Sequence, residues 1–212
     1  HIESEFYSTS QAGGTAPKLG DRAKLISHSL KDAFDLKALS QLDAIVTCQG
    51  GDYTTKVYDE LRASGWKGTW IDAASSLRMR DEAVIILDPV NADLIQKSLQ
   101  QGGRCFVGGN CTVSLMIMAL AGLIERDLIE WVSASTYQAV SGAGAQSMRE
   151  LLAQMGKVYA SAADFLKDSK SSILEIDRAV TATLRDATFP VENTVHPLAG
   201  SLLPWIDKDL GN

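Results

Sequence analysis

The feature that most constrains this chain is the regular alternation of short apolar runs with longer segments of helical period. Short apolar runs bounded by Gly, Asp or Asn suit strands covered on both faces. Helical segments between them imply crossovers, and hence a mainly parallel α/β sheet. Strands are predicted at Glu5–Ser8, Asp43–Cys48, Thr69–Asp72, Ala83–Leu87 and Cys105–Val107. Helices are predicted over Tyr53–Ser64, with Asp52 as N-cap and Gly65 as stop, and between Asn91 and Gln101. Thr112–Ile124 is apolar nearly all round, which predicts a buried helix.

From about Ile129 the texture changes. Trp131–Gln138 alternates like a strand, and amphipathic helices are expected at Ser147–Leu166 and Ser171–Leu184. Pro190–Asn212 holds Pro190, Pro197 and Pro204 and offers little regular structure. The expected division is 1–128 and 129–212, with the boundary near Leu128.

Charge narrows the partners. A net charge of −6 argues against nucleic acid or an anionic membrane, while local arginines can still hold a small anion. The longest apolar stretch is interrupted and too short to span a bilayer. Cys48, Cys105 and Cys111 are odd in number and lack metal-ligand spacing, so no metal is expected. Cys105 and Cys111 could pair in principle. No signal-peptide pattern points to an oxidising compartment, so a reducing cytoplasm is the expectation.

The motif richest in chemistry is Gly108-Gly109-Asn110-Cys111-Thr112-Val113-Ser114. A cysteine after paired glycines and at a helix start meets open N–H groups and the positive end of the helix dipole, which favour a thiolate. The same N–H groups can hold an oxyanion when a carbonyl is attacked. The position equally suits a small buried residue at a helix start.

GGNCTVSLM (Gly108–Met116) is accompanied, in order, by TCQGGDYT (Thr47–Thr54), IDAASSLRM (Ile71–Met79), TYQAVSGAGA (Thr136–Ala145) and PLAGSLLPWIDK (Pro197–Lys208). Together with Phe6-Tyr7-Ser8-Thr9-Ser10-Gln11, this series resembles bacterial aspartate-β-semialdehyde dehydrogenases along essentially the whole chain. The resemblance implies an incomplete Rossmann-type NADP-binding domain at 1–128. Part of an α+β catalytic and dimerisation domain would follow at 129–212. Such enzymes reversibly reduce β-aspartyl phosphate to aspartate β-semialdehyde and phosphate with NADPH, on the route to lysine (through diaminopimelate), methionine, threonine and isoleucine. The implied assembly is a homodimer.

By position, the resemblance makes Cys111 the nucleophile, forming a thioester that is then reduced. Gln138 matches the glutamine that orients the reacting carbonyl or water, although by itself it reads as a polar residue at a strand end. Arg78 and Asn110 match phosphate-binding residues, and a planar guanidinium suits two phosphate oxygens. Neighbouring Arg80 reads as a solvated surface group. Ser8, Thr9, Ser10 and Gln11 fall where a Rossmann fold meets the adenosine ribose. A hydroxyl-rich turn without Asp or Glu at the strand end suits the 2′-phosphate of NADP. Cys48, Gln49 and Gly50 are expected to line the cofactor groove, and Ser141, Gly142 and Gly144 to approach the nicotinamide. For the last three, a loop ahead of a helix explains them nearly as well.

Two departures qualify the match. The glycine-rich first turn is missing, since Gly13, Gly14 and Gly20 have other spacing. The acid/base histidine and carboxylate-binding arginine of such enzymes fall beyond the PWIDK stretch, and His1, His28 and His196 stand in other contexts. The chain therefore reads as an internal portion, expected to be inactive alone. Glyceraldehyde-phosphate dehydrogenase and N-acetyl-glutamyl-phosphate reductase share the plan but surround their cysteine differently. A non-catalytic fragment or relative that only associates with other subunits is the alternative from another class; retention of Cys111 within its motif argues against a relative that has lost catalysis.

Overall fold

Four short strands in two parallel pairs precede the main sheet. β1 (Ile2–Ser4), β2 (Tyr7–Ser8), β3 (Ala23–Leu25) and β4 (Lys31–Asp32) associate as β1 with β3 and β2 with β4. This computed structural model describes residues 2–20 and 23–204, in two units, His1–Ser133 and Ala134–Asn212. His1 and the Trp205–Lys208 part of the final motif lie outside the described residues.

After α1 (Leu36–Leu39), capped by Asp35, come β5 (Ala44–Thr47), α2 (Gly51–Ala63), β6 (Thr69–Asp72), β7 (Ala83–Ile86), α3 (Ala92–Gln100) and β8 (Cys105–Gly108). The four later strands form a parallel sheet in the order β5-β6-β8-β7. β8 fills the position that the chain skipped between β6 and β7. The carboxyl ends of β6 and β8 are thereby neighbours, with Asp72 opposite Val107. Ligands of open parallel sheets bind at such ends.

The core explains the register. Cys105, Phe106 and Val107 are all buried because β8 is covered on both faces. α2 contributes Tyr53, Val57, Tyr58 and Leu61 from one face, at helical spacing. They close on fully buried Trp70, which stacks with Tyr53 and meets Tyr58 and Trp66 edge-on. Full burial of a large apolar side chain contributes about 1.5–3 kcal/mol, so this aromatic cluster anchors the helix to the sheet. Burial pushes the Tyr53 and Tyr58 hydroxyls up to about 12, so both stay protonated, and Tyr53 donates to the Ala33 carbonyl at 2.9 Å.

Two expectations fail in this unit. Asp52 does not cap α2; Gly50 does, at φ +92°, a conformation that Asp would adopt only with strain. Asp52 sits in the first turn, where its charge still complements the dipole. α4 (Cys111–Ile124) forms as predicted but buries none of its residues, and Leu115 is 69% exposed. An all-apolar composition favours burial, yet burial needs a facing surface, and no described element of its unit packs extensively on α4.

In the second unit a 3₁₀ turn (Val140–Ala143) leads into α5 (Ala145–Lys167), which packs on α6 (Ile173–Leu184). α6 opens with a reciprocal capping box between Ser172 and Glu175. Residues 131–138 form no strand, contrary to their alternation, because no described segment lies alongside to share a ladder. The irregular segment after α6 is fixed to α5 through buried Glu150 and Gln154.

Candidate functional site

β8 ends at Gly108 and the chain turns through Gly109 into Asn110, which caps α4 by accepting from the Val113 N–H at 3.1 Å. A β-carbon at Gly109 would stand 2.5 Å from Ser114 Oγ, so the first turn of α4 folds back closely on this residue. Cys111 is the first residue of α4 and is exposed. Asn110 satisfies the Val113 N–H, but the N–H groups of Cys111 and Thr112 have no partner among the described residues. They are available to an oxyanion at the thiol. Cys105, by contrast, is buried in β8, and burial pushes its thiol up, so it stays protonated and inert.

Arg78 arrives from the neighbouring strand end. Its Nε donates to the Gly108 carbonyl at 2.7 Å and a terminal nitrogen to the Gly109 carbonyl at 3.0 Å. A guanidinium carries five N–H donors, so those not engaged here remain for an anion beside Cys111. Asn110 uses its side-chain oxygen as the cap, which leaves its amide N–H groups for the same purpose. Thus Arg78, Asn110 and Cys111 are brought to one turn. Arg80 does not join them. It is not merely solvated either, for it forms a two-pronged pair with Asp59 at 2.6 and 2.7 Å.

The residues expected at a cofactor also converge in part. The Ser8 hydroxyl accepts from the Ser10 and Gln11 N–H groups and folds the loop after β2. Thr9 Oγ1 donates to Gln49 Oε1 at 2.9 Å, joining that loop to the turn after β5. There Cys48 is exposed and Gly50 leads into α2, whose N-terminus carries no side-chain cap. Gln138, Ser141, Gly142 and Gly144 belong to the second unit. Gln138 lies over the 3₁₀ turn at Gly142, and Gly144 opens α5 at φ +95°.

Sequence reasoning missed Asp72. Its buried carboxylate accepts from Thr54 Oγ1 (2.6 Å) and Trp70 Nε1 (3.3 Å) with one oxygen and from the Ala74 N–H (2.8 Å) with the other. It ties α2 to the loop that carries Arg78. An acidic residue closing an apolar strand was the available signal. A cavity of about 700 Å³ lies elsewhere, at the amino ends of β6 and β8, lined by Tyr58, Arg62, Trp66 and Arg104 among others. Arg62 there donates to the Trp66, Gly68 and Arg104 carbonyls, which makes it a strut of the fold. No group of three or more metal-ligating side chains occurs among the described residues, and none of their helices is long and apolar enough to cross a membrane.

Two family models match the chain: the semialdehyde dehydrogenase NAD binding domain over residues 1–98 and the semialdehyde dehydrogenase dimerisation domain over residues 120–212. The chain belongs to the semialdehyde dehydrogenase family. Among solved structures it is similar to aspartate semialdehyde dehydrogenase from Francisella tularensis, at 41% identity over 98% of the chain with a TM-score of 0.84. The chain spans 55% of that protein's length. It is also similar to aspartate semialdehyde dehydrogenase II from Vibrio cholerae, at 25% identity and a TM-score of 0.53, covering 72% of this chain and 43% of that one. Cys111 falls between the two family-model matches, so its assignment rests on the turn geometry and the motif around it.

Proposed function

We propose that the protein carrying this chain is an NADP-dependent aspartate-semialdehyde dehydrogenase that works through a thioester on Cys111. The observation that supports this most is the single turn combining an exposed thiol, unpartnered helix N–H groups and an arginine with spare donors. That is the equipment for an acyl phosphate. Arg78 and the Asn110 amide hold the phosphoryl oxygens, and the N–H groups of Cys111 and Thr112 receive the carbonyl oxygen as it gains charge. The Cys111 thiolate attacks the acyl carbon, the carbon–oxygen bond to phosphate breaks, and phosphate leaves with that electron pair. Gln138 is assigned to orienting the reacting carbonyl or water.

The cofactor reading also fits the residues present. The loop of Ser8, Thr9, Ser10 and Gln11 is bonded to Gln49, beside Cys48, Gly50 and the uncapped start of α2, and hydroxyls and open N–H groups there suit phosphate-bearing groups. The side chain ending β2 is Ser8, not an acid that would repel a 2′-phosphate, which favours NADP over NAD. Ser141, Gly142 and Gly144 are assigned to its nicotinamide end, and the nicotinamide supplies or accepts hydride when bound. Homodimerisation through the second domain and work in a cytoplasmic amino-acid pathway complete the proposal, as does a boundary near Leu128.

The test is turnover of the complete protein with aspartate semialdehyde, phosphate and NADP, beside its Cys111→Ser variant. A hydroxyl at that helix start stays protonated at neutral pH. The variant is expected to lose turnover and keep cofactor binding; retention of more than a small fraction of the rate overturns the assignment.

A further inference from the structure

Binding an anion does not require Arg78 to hold two consecutive carbonyls of the nucleophile's own turn, yet it does so, at 2.7 and 3.0 Å. The consequence follows from the planarity of the trans peptide, in which C=O and N–H point in opposite directions. Fixing the Gly108 carbonyl fixes the Gly109 N–H, and fixing the Gly109 carbonyl fixes the Asn110 N–H. Both residues are glycines, which restrain their own backbone least, so the turn before Cys111 depends on an outside restraint. The restraint itself is rooted. Ala73 N–H donates to the Thr47 carbonyl, Ala74 N–H to buried Asp72, and Arg78 N–H to the Ser75 carbonyl.

We propose that Arg78 is a positioning residue for Cys111, bracing the Gly108–Gly109 turn through its guanidinium fork, in addition to the anion contact assigned above. This rests on the reading of Cys111 as the nucleophile. One planar group then fixes both the start of α4 and the place of the anion, so the leaving group and the thiol share a frame. Lysine can keep the charge, but its ammonium lacks the planar fork that spans two carbonyls.

The experiment measures alkylation of Cys111 in the full protein by neutral iodoacetamide and by anionic iodoacetate, followed by peptide mass spectrometry. Exposed Cys48 is read in the same samples. In Arg78→Lys both reagents are expected to react with Cys111 roughly two- to fivefold more slowly, the size of a lost helix-terminus contribution, with Cys48 unchanged. In Arg78→Ala, added guanidinium ion is expected to restore part of the iodoacetamide rate. An unchanged or faster iodoacetamide rate in Arg78→Lys, or an equal change at Cys48, overturns the bracing role. Loss of the iodoacetate rate alone does so as well, leaving Arg78 as an anion contact only. Failure of the nucleophile assignment shows separately, as turnover retained by Cys111→Ser.

Discussion

Replacing Glu150 by Gln tests how the second unit holds its irregular segment. The carboxylate is buried in α5 and accepts four hydrogen bonds, each of 2.8 Å: two from Asn193 (N and Nδ2) and two from Thr194 (N and Oγ1). Burial opposes ionisation, but these bonds outweigh it and bring the carboxyl from 4.5 down to about 2. Glutamine keeps the shape yet turns an NH₂ toward one donor pair, losing two charge-assisted bonds worth about 1.5–3 kcal/mol each. The shift of the carboxyl corresponds to about 3 kcal/mol, the same order. Because the folded value is depressed, this stabilisation is fully present above about pH 4.5 and is lost as pH falls through about 2. Amide hydrogen exchange reads it locally. In Glu150→Gln, Asn193 and Thr194 are expected to exchange roughly 10²-fold faster at pH 7, with the gap narrowing as pH drops from 4.5 toward 2. A difference below about threefold at pH 7, or one that persists undiminished in acid, refutes the reasoning.

Two further outcomes follow from the first unit. In steady-state kinetics, Arg78→Lys is expected to raise the KM for phosphate more than that for aspartate semialdehyde; equal effects would make Arg78 a general electrostatic or stability residue. Thr9→Ala removes the exposed bond to Gln49 and is expected to weaken NADP binding by calorimetry roughly two- to tenfold, while an unchanged affinity would place the cofactor elsewhere.

What the sequence made legible is what local chemistry decides. The strands β5 through β8 were readable because their apolar runs stop at Asp, Gly or Asn, and α5 and α6 because their periods are helical. The cap of α2 was not, since it turns on the positive φ of Gly50 rather than on a capping side chain. Nor was the exposure of α4, because its composition reports a preference for cover and not the presence of a covering surface. Asn110 and Cys111 announce themselves within one motif. The contacts of Arg78 with Gly108 and Gly109 do not, for they join residues about 30 apart and exist only because β6 and β8 are adjacent. The same holds for Asp72 and Thr54, and for Glu150 with Asn193 and Thr194.

The central claim, a covalent intermediate on Cys111, is open to one direct measurement. The complete protein is mixed with β-aspartyl phosphate in the absence of reduced cofactor, quenched in acid, digested and mapped by mass spectrometry. The account predicts an aspartyl adduct on the peptide containing Cys111, labile to hydroxylamine as a thioester should be, and absent from Cys48 and Cys105. Phosphate should be released in equal amount. Release of phosphate with no adduct, or an adduct on another residue, would contradict it.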